Sequence, residues 1–137
     1  MDLTKTVKLQ IKLSNDKDAA LLKSAMEHYR LACDDVSHYV FDHGFPLNAV
    51  KLQIALYGGL REQFNLKAQF AISVLRTVTA RYKAVRTQLK QNPYRYQDDA
   101  DKWHKQTKNL DWLWRSISFH RPQLDLVRGR DWSIRKD

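Results

Sequence analysis

Residues 66–91 read LKAQFAISVLRTVTARYKAVRTQLKQ and form the clearest helical pattern in the chain. Small and apolar side chains recur there every three or four residues, which is the spacing of one face of an α-helix. The pattern stops at Asn92-Pro93, because proline disfavours helical geometry in the residue before it. The predicted buried stripe consists of Ala68, Ala71, Leu75, Val78, Tyr82, Val85 and Leu89.

The other face of this helix is basic. Arg76, Lys83 and Lys90 are spaced seven residues apart and therefore stack on one side, with Arg86 beside them. A solvated surface is the commonest role of charges on a helix. Residues 66–91 contain no acidic side chain, however, so no ion pairs at i±3 or i±4 neutralise the stripe. The pattern favours a track for phosphate groups.

Two further helices are predicted before it. Asn15 and its neighbours Ser14 and Asp16 can cap a helix that extends to about His43, with Gly44 in the closing position. Its apolar stripe is Leu22, Ala25, Tyr29, Ala32/Cys33, Val36 and Val40. A second helix is predicted over residues 47–64, with Val50, Ile54, Tyr57 and Leu60 inward and a kink or break at Gly58-Gly59.

The two ends of the chain show the alternation of β-strands. Residues 4–13 alternate strictly, with Val7, Leu9, Ile11 and Leu13 on one side, which predicts a half-buried strand with a basic outer face. Shorter alternations at residues 117–119, 124–126 and 132–134 predict tail strands. Residues 97–110 are polar, with poor apolar periodicity, and predict a loop containing a short helix. The expected fold class is α+β, mostly α.

Length, charge and cysteine content limit the classes of protein to which this chain can belong. The 137 residues suit one domain, and 24 Lys and Arg against 15 Asp and Glu give a net charge of +9. Residues 61–95 hold eight of those cations and one acid, a concentration that favours a polyanionic partner such as nucleic acid. The single cysteine, Cys33, excludes an internal disulfide and suits a cytoplasmic location. No apolar run is long enough for a membrane span, and the N-terminus lacks a signal-peptide pattern.

The sequence offers few candidate residues for a catalytic or metal-binding site. The chain contains no P-loop, GxGxxG, HExxH or GxSxG motif, and its histidines lack zinc-ligand spacing, so neither a cofactor nor a bound metal is expected. Cys33 lies on the apolar stripe and is predicted to be a core residue. Acidic clusters at residues 34–35 and 98–101 fit helix starts and surfaces better than a Mg²⁺ site. The residues alone predict a binding protein with no catalytic side chains.

Aromatic side chains interleaved with cations are a stronger signal. Tyr94, Tyr96 and Trp103 are candidates for base stacking, with Arg95 and Arg115 as neighbouring phosphate contacts. Trp112 and Trp114 belong to the same cluster, and at least one of them is predicted to plug the core.

Three stretches resemble one known family when taken in order. They are TVKLQIKLSNDKDAALLKSAMEHYRLACDDVSHYVF at residues 6–41, LREQFNLKAQFAISVLRTVTARYKA at residues 60–84, and FHRPQLDLVRGRDWSI at residues 119–134. Together they resemble the N-terminal region of the transposon-encoded TnpB (OrfB) proteins, the relatives of type V CRISPR effectors. That region is a wedge β-barrel interrupted by helical recognition segments, and it holds the guide RNA and contacts the guide–target duplex.

The resemblance implies a division of the chain and a set of binding residues. Residues 1–14 and 115–137 would form barrel-like wedge structure, and residues 15–114 the helical recognition insertion. Guide RNA and target DNA are the expected partners, and a RuvC-like nuclease would come from a larger chain or a separate subunit, since this chain stops at Asp137, before any such domain. The implied nucleic-acid contacts are Lys5, Lys8, Lys12, Arg76, Lys83, Arg86, Lys90, Arg95, Arg115, Arg121, Arg128 and Arg130.

Other functions stay open on the sequence alone. A stand-alone DNA-binding regulator and a protein-interaction module would both use a basic domain of this size. A small Mg²⁺-dependent nuclease would need the acidic cluster of Asp98, Asp99 and Asp101.

Overall fold

Three helices form the body of the chain in a computed structural model that describes residues 3–126 and 132–135. They are α1 (Asp16–Asp42), α2 (Ala49–Gln63) and α3 (Ala68–Gln91). An antiparallel hairpin follows, formed by β1 (Tyr94–Gln97) and β2 (Trp103–Gln106), and then a 3₁₀ turn at Leu110–Trp112. The prediction of a mostly helical chain is confirmed.

The α1 helix has the predicted caps and the predicted buried stripe. The side chain of Asn15 accepts a hydrogen bond from the Asp18 amide at 2.8 Å, which satisfies one of the free N–H groups of the first turn. Gly44 follows the helix with φ of +76°, a left-handed conformation that favours glycine. Burial is complete for Tyr29, Ala32, Cys33, Val36 and Val40.

The α2 helix differs from the prediction in the face that it buries. It continues through Gly58 and Gly59 without a break. Its core face holds Leu52 and Leu60, whereas Val50 and Ile54 are 67% and 83% exposed. Apolar residues occur on both sides of this helix, and the side that faces the core is the one with Leu52, Leu56 and Leu60 at four-residue spacing.

The α3 helix is the central element, because it packs against both α1 and α2. Its predicted stripe is confirmed: Ala71, Leu75, Val78 and Tyr82 are buried, and the last turns continue it with half-buried side chains. Most of the core therefore forms where α3 meets its two neighbours.

The segment that follows the 3₁₀ turn is fixed to α1 and α3 by side chains. The hydroxyl of Tyr82 accepts from the backbone N–H of Ile117 at 3.1 Å, and the Ser37 hydroxyl donates to the Ile117 carbonyl. Asp34 accepts from the Phe119 amide at 2.7 Å, and Arg30 donates to the Phe119 carbonyl at 3.0 Å. The four backbone groups that a neighbouring strand would bind are thus bound by helix side chains.

A second polar cluster anchors the same segment further along. The hydroxyl of Tyr29 lies 2.8 Å from the Ser73 hydroxyl and 2.7 Å from that of Thr77, and it donates to Asp125 at 3.4 Å. Thr77 also donates to Asp125 at 3.1 Å. Burial among these groups raises the pKa of Tyr29 to about 12, so its hydroxyl stays protonated at neutral pH.

The predicted terminal strands are not seen in the described residues, where the terminal β-structure is limited to a single bridge residue, Trp132. These residues form no closed barrel, and the sheet they contain is the hairpin within residues 94–106. Residues 3–13 form no strand, and Leu9 and Ile11 are 84% and 76% exposed, because no strand lies beside them to pair with. Residues 117–119 and 124–126 form no strands either, although Ile117, Phe119 and Leu124 pack against the core as their alternation predicted.

The division of the chain at residues 14 and 115 stays a prediction. Arg128 and Arg130 lie outside the described residues.

Removing the Tyr82 hydroxyl should weaken the attachment of residues 117–119. Tyr82→Phe leaves the Ile117 N–H without its partner and removes the hydrogen bonds between Tyr82 and Ser37, so we expect the free energy of unfolding to fall by about 1–3 kcal/mol in urea denaturation. Tyr39→Phe is the control, because among the described residues the Tyr39 hydroxyl makes no hydrogen bond, and its effect should stay within about 0.5 kcal/mol. Equal effects of the two variants would contradict this assignment.

Alanine at Gly59 should stabilise the protein. A Cβ added there meets nothing within 4 Å, and the backbone is already helical. Gly59→Ala should therefore raise the free energy of unfolding by about 0.5–1 kcal/mol. Gly44→Ala is the contrast, since the left-handed backbone at Gly44 makes the same change destabilising. A loss of stability in Gly59→Ala, measured by the same denaturation, would argue against an uninterrupted α2.

Candidate nucleic-acid interface

The basic stripe of α3 is exposed as predicted. Arg76, Lys83 and Lys90 are exposed, and Arg86 is half-buried beside them. Within residues 3–126 and 132–135, the ion pairs join Arg30 to carboxylates of its own helix and a histidine to an aspartate of the hairpin. The stripe therefore has no carboxylate partner there, so its charge is available to a ligand.

Arg81 belongs to a different surface of the same helix. Arg76 borders a shallow pocket with Ala49 and Val50 of α2, whereas Arg81 borders a cleft with Ser118 and His120. The two arginines thus lie on opposite flanks of α3. Sequence reasoning counted Arg81 in the basic cluster but did not select it as a site residue. The sequence did contain a signal, because Arg81 falls outside the seven-residue repeat of the stripe and therefore lies on another side of the helix.

The hairpin after α3 was predicted as a loop and is held by one aspartate. The carboxylate of Asp98 accepts from the amides of Ala100 and Lys102, both at 2.9 Å, and lies 2.7 Å from the His104 ring. Hydrogen bonds from His104 and from these amides hold the pKa of Asp98 below its ordinary value. The acidic cluster therefore forms a turn, in which Asp101 takes a left-handed conformation.

One face of the hairpin carries a row of aromatic rings. Tyr94 lies 5.8 Å from Tyr96 and 5.7 Å from Trp112, and Tyr96 stacks on His104 at 5.2 Å, all between ring centroids. These rings support one another, and Tyr94 and Tyr96 remain 47% and 41% exposed. Two predicted base-stacking residues are thus brought together, with part of each ring open to solvent.

The opposite face of the hairpin combines cations with an open indole. Arg95 is paired directly across the strands with Lys105, and Trp103 lies on the same face, 67% exposed. Like charges facing each other across a hairpin are destabilising unless an anion neutralises them. Lys105 was missed by sequence reasoning, because its pairing with Arg95 depends on a hairpin register that the polar sequence did not reveal.

Residues 113–121 expose the indole of Trp114 together with the side chains of Arg115, His120 and Arg121. Trp114 is 81% exposed, and the Arg115 guanidinium lies 4.7 Å from its ring centroid. Trp112 is 43% exposed, so the prediction that one of these two tryptophans fills the core is wrong. Leu110 occupies that place instead, because its 3₁₀ turn packs against α3. Arg121 is exposed further along the same segment.

The N-terminal cations lie apart from this arrangement. Lys5, Lys8 and Lys12 are exposed on an unpaired segment, and the structure brings them to none of the clefts described here.

Cys33 of α1 and two histidines near the end of that helix are either buried or close to its backbone carbonyls. Burial raises the pKa of the Cys33 thiol to about 12, which keeps it protonated and unreactive. The Nδ1 atoms of His38 and His43 lie 2.8 Å from backbone carbonyls of their own helix. Among the described residues, no group of three or more His, Cys, Asp or Glu side chains is arranged to hold a metal ion. No helix in that part of the chain combines the length and hydropathy required to cross a bilayer.

The sequence matches no protein-family model, and no curated protein or solved structure shows significant similarity to it.

Proposed function

We propose that this chain is the nucleic-acid-binding module of a TnpB-like RNA-guided DNA endonuclease, which binds guide RNA and the guide–target duplex and has no nuclease centre of its own. The observation that carries the proposal is the set of exposed cations without carboxylate partners on α3 and on the hairpin. The order of the three TnpB-like stretches along the chain supports the choice of family.

The α3 stripe suits a nucleic-acid backbone. Its three outermost cations recur every two turns, which separates them by roughly 10 Å along the helix axis. Lys and Arg that neutralise phosphates release condensed counterions, and this release supplies sequence-independent affinity. A protein that reads a guide–target duplex through its backbone needs this type of contact, because base pairing supplies the sequence specificity.

The hairpin suits unpaired bases. Trp103 offers an open ring beside the paired cations Arg95 and Lys105, a combination typical of proteins that bind single strands. Tyr94 and Tyr96 offer a second, partly covered stacking surface on the opposite face.

A nuclease would be supplied by another domain or subunit. The exposed apolar side chains of residues 3–13 are a surface that such a partner would cover, since their alternation fits an added strand.

A protein-interaction module is the second candidate. The observation that favours it is the pair of apolar side chains Val50 and Ile54, exposed on the outer face of α2. Purification of the chain with a bound protein and no nucleic acid would favour this alternative, and bound nucleic acid would favour the proposed function.

Charge reversal on α3 should weaken RNA binding without unfolding the protein. In the variant Arg76→Glu/Lys83→Glu/Lys90→Glu, the slope of log K against log salt for a single-stranded RNA should lose about 2 in magnitude, because roughly 0.7 is lost per phosphate contact. The melting temperature should change little, since these side chains are exposed and unpaired.

The matched control reverses the same total charge elsewhere. Lys17→Glu/Lys23→Glu/Lys51→Glu changes exposed lysines on α1 and α2, so its salt slope should remain close to that of the unchanged protein. Equal losses in both triple variants would show that net charge alone, and not the α3 stripe, governs binding.

Removing the Trp103 ring should weaken binding to single strands. Trp103→Ala should cost about 1–3 kcal/mol in affinity for a single-stranded RNA, measured by fluorescence anisotropy, because one stacked base is lost. Gln97→Ala controls for weakening of the hairpin itself, since Gln97 is the cross-strand partner of Trp103. Unchanged affinity in Trp103→Ala would exclude stacking on this ring.

A further inference from the structure

A cleft of about 470 Å³ lies between α3 and residues 118–123 of the segment that follows the 3₁₀ turn. It has arginines on two sides, Arg81 from α3 and Arg121 from the segment. Hydroxyls of Thr77 and Ser118 and the ring of His120 complete its polar lining, and Phe119 adds an apolar wall.

The two arginines carry uncompensated charge. Arg81 and Arg121 are both exposed, and neither lies within 4.0 Å of a carboxylate in the described part of the chain. The next carboxylate along the chain after Arg121 is that of Asp125, which already accepts hydrogen bonds from Thr77 and Tyr29. Two guanidinium groups bordering one cleft repel each other, so an anion between them is favoured.

The cleft wall is held in place before any ligand arrives. Hydrogen bonds from Arg30 and to Asp34 fix the backbone of Phe119, and Ile117 is fixed in the same way. Ser118 and His120 are exposed, whereas Ile117 and Phe119 are half-buried against the core. Pre-positioned donors bind an anion with a smaller entropy cost.

A second cleft, of about 260 Å³, adjoins the first. Ser118 and His120 border both clefts, and the second one is also lined by Trp114 and Arg115. The cleft with the two arginines therefore lies next to an exposed indole. Neighbouring phosphate and base groups of one nucleotide strand have the chemistry for these two positions.

We propose that the cleft between α3 and residues 118–123 binds a phosphate group of a single nucleic-acid strand, and that the adjacent base packs against Trp114. The inference rests on the proposed function and gives it a defined subsite. Phosphate fits better than a carboxylate, because its several oxygens can accept from two guanidinium forks and from hydroxyls at once.

The first test uses inorganic phosphate alone, followed by NMR on the whole chain. Phosphate should shift the amide signals of Ser118 and His120, whereas chloride at equal ionic strength should not. The shifts should disappear in Arg81→Gln/Arg121→Gln and persist in Lys23→Gln/Lys51→Gln, which removes two exposed charges from α1 and α2. Absence of shifts, or shifts that persist in the double variant, would overturn the proposal.

The second test identifies the source of the phosphate. Two single-stranded RNAs of one sequence, with a 5′-phosphate or a 5′-hydroxyl, are compared by anisotropy. If the site takes a terminal phosphate, the 5′-phosphate strand should bind about tenfold more tightly, and Arg81→Gln/Arg121→Gln should remove that difference. If it takes an internal phosphodiester, the double variant should weaken both strands about tenfold. Binding of both strands unaffected by the double variant would overturn the subsite.

These outcomes separate the subsite from the function on which it rests. RNA binding that is insensitive to Arg81→Gln/Arg121→Gln keeps the proposed function and removes this cleft from it. Specific phosphate shifts without any RNA binding would keep an anion site and remove the nucleic-acid function.

Discussion

The hydrogen bonds that helix side chains make to the backbone of Ile117 and Phe119 are the constraint on which the surfaces of this chain depend. An extended segment buried against helices has backbone groups that water cannot reach, and each unsatisfied group costs about 1–3 kcal/mol. Tyr82 and Asp34 supply partners from α3 and α1, so one segment bridges the two helices. At residues 117–119, apolar side chains therefore pack against the core while the backbone groups of the same residues are hydrogen-bonded by the helices.

This constraint also determines what faces outward. With Ile117 and Phe119 directed to the core, Ser118 and His120 face solvent and border two clefts. The α3 helix has an analogous division, because its buried stripe separates two basic flanks. One flank carries the repeating cations of the stripe, and the other carries Arg81 beside residues 118–123. The binding surfaces are thus consequences of how the core is packed.

Local patterns in the sequence predicted the elements whose cause is local. The caps at Asn15 and Gly44 and the apolar stripes of α1 and α3 depend on residues within a few positions, and the structure has them. The exposed stripe of α3 followed from the same periodicity. For α2, two apolar faces competed, and only packing against α3 decides between them.

Features that depend on distant residues could not be predicted. Alternation at residues 117–119 correctly indicated inward apolar side chains, but helix side chains took the place of the expected neighbouring strand. The hairpin was missed because its stability comes from the turn built on Asp98 and from ring contacts, which leave no apolar alternation. Its register, and with it the pairing of Arg95 with Lys105, appears only in three dimensions.

Amide hydrogen exchange of the whole chain with and without a single-stranded RNA tests most directly whether the nucleic-acid surface extends from the α3 stripe over the hairpin and the outward side of residues 113–121. A two-stranded hairpin is marginally stable alone, so bound RNA should slow exchange there measurably. We expect added protection in residues 94–106 and 113–121 and none in the first turns of α1. Protection confined to α1, or RNA binding with unchanged exchange in both segments, would contradict this expectation.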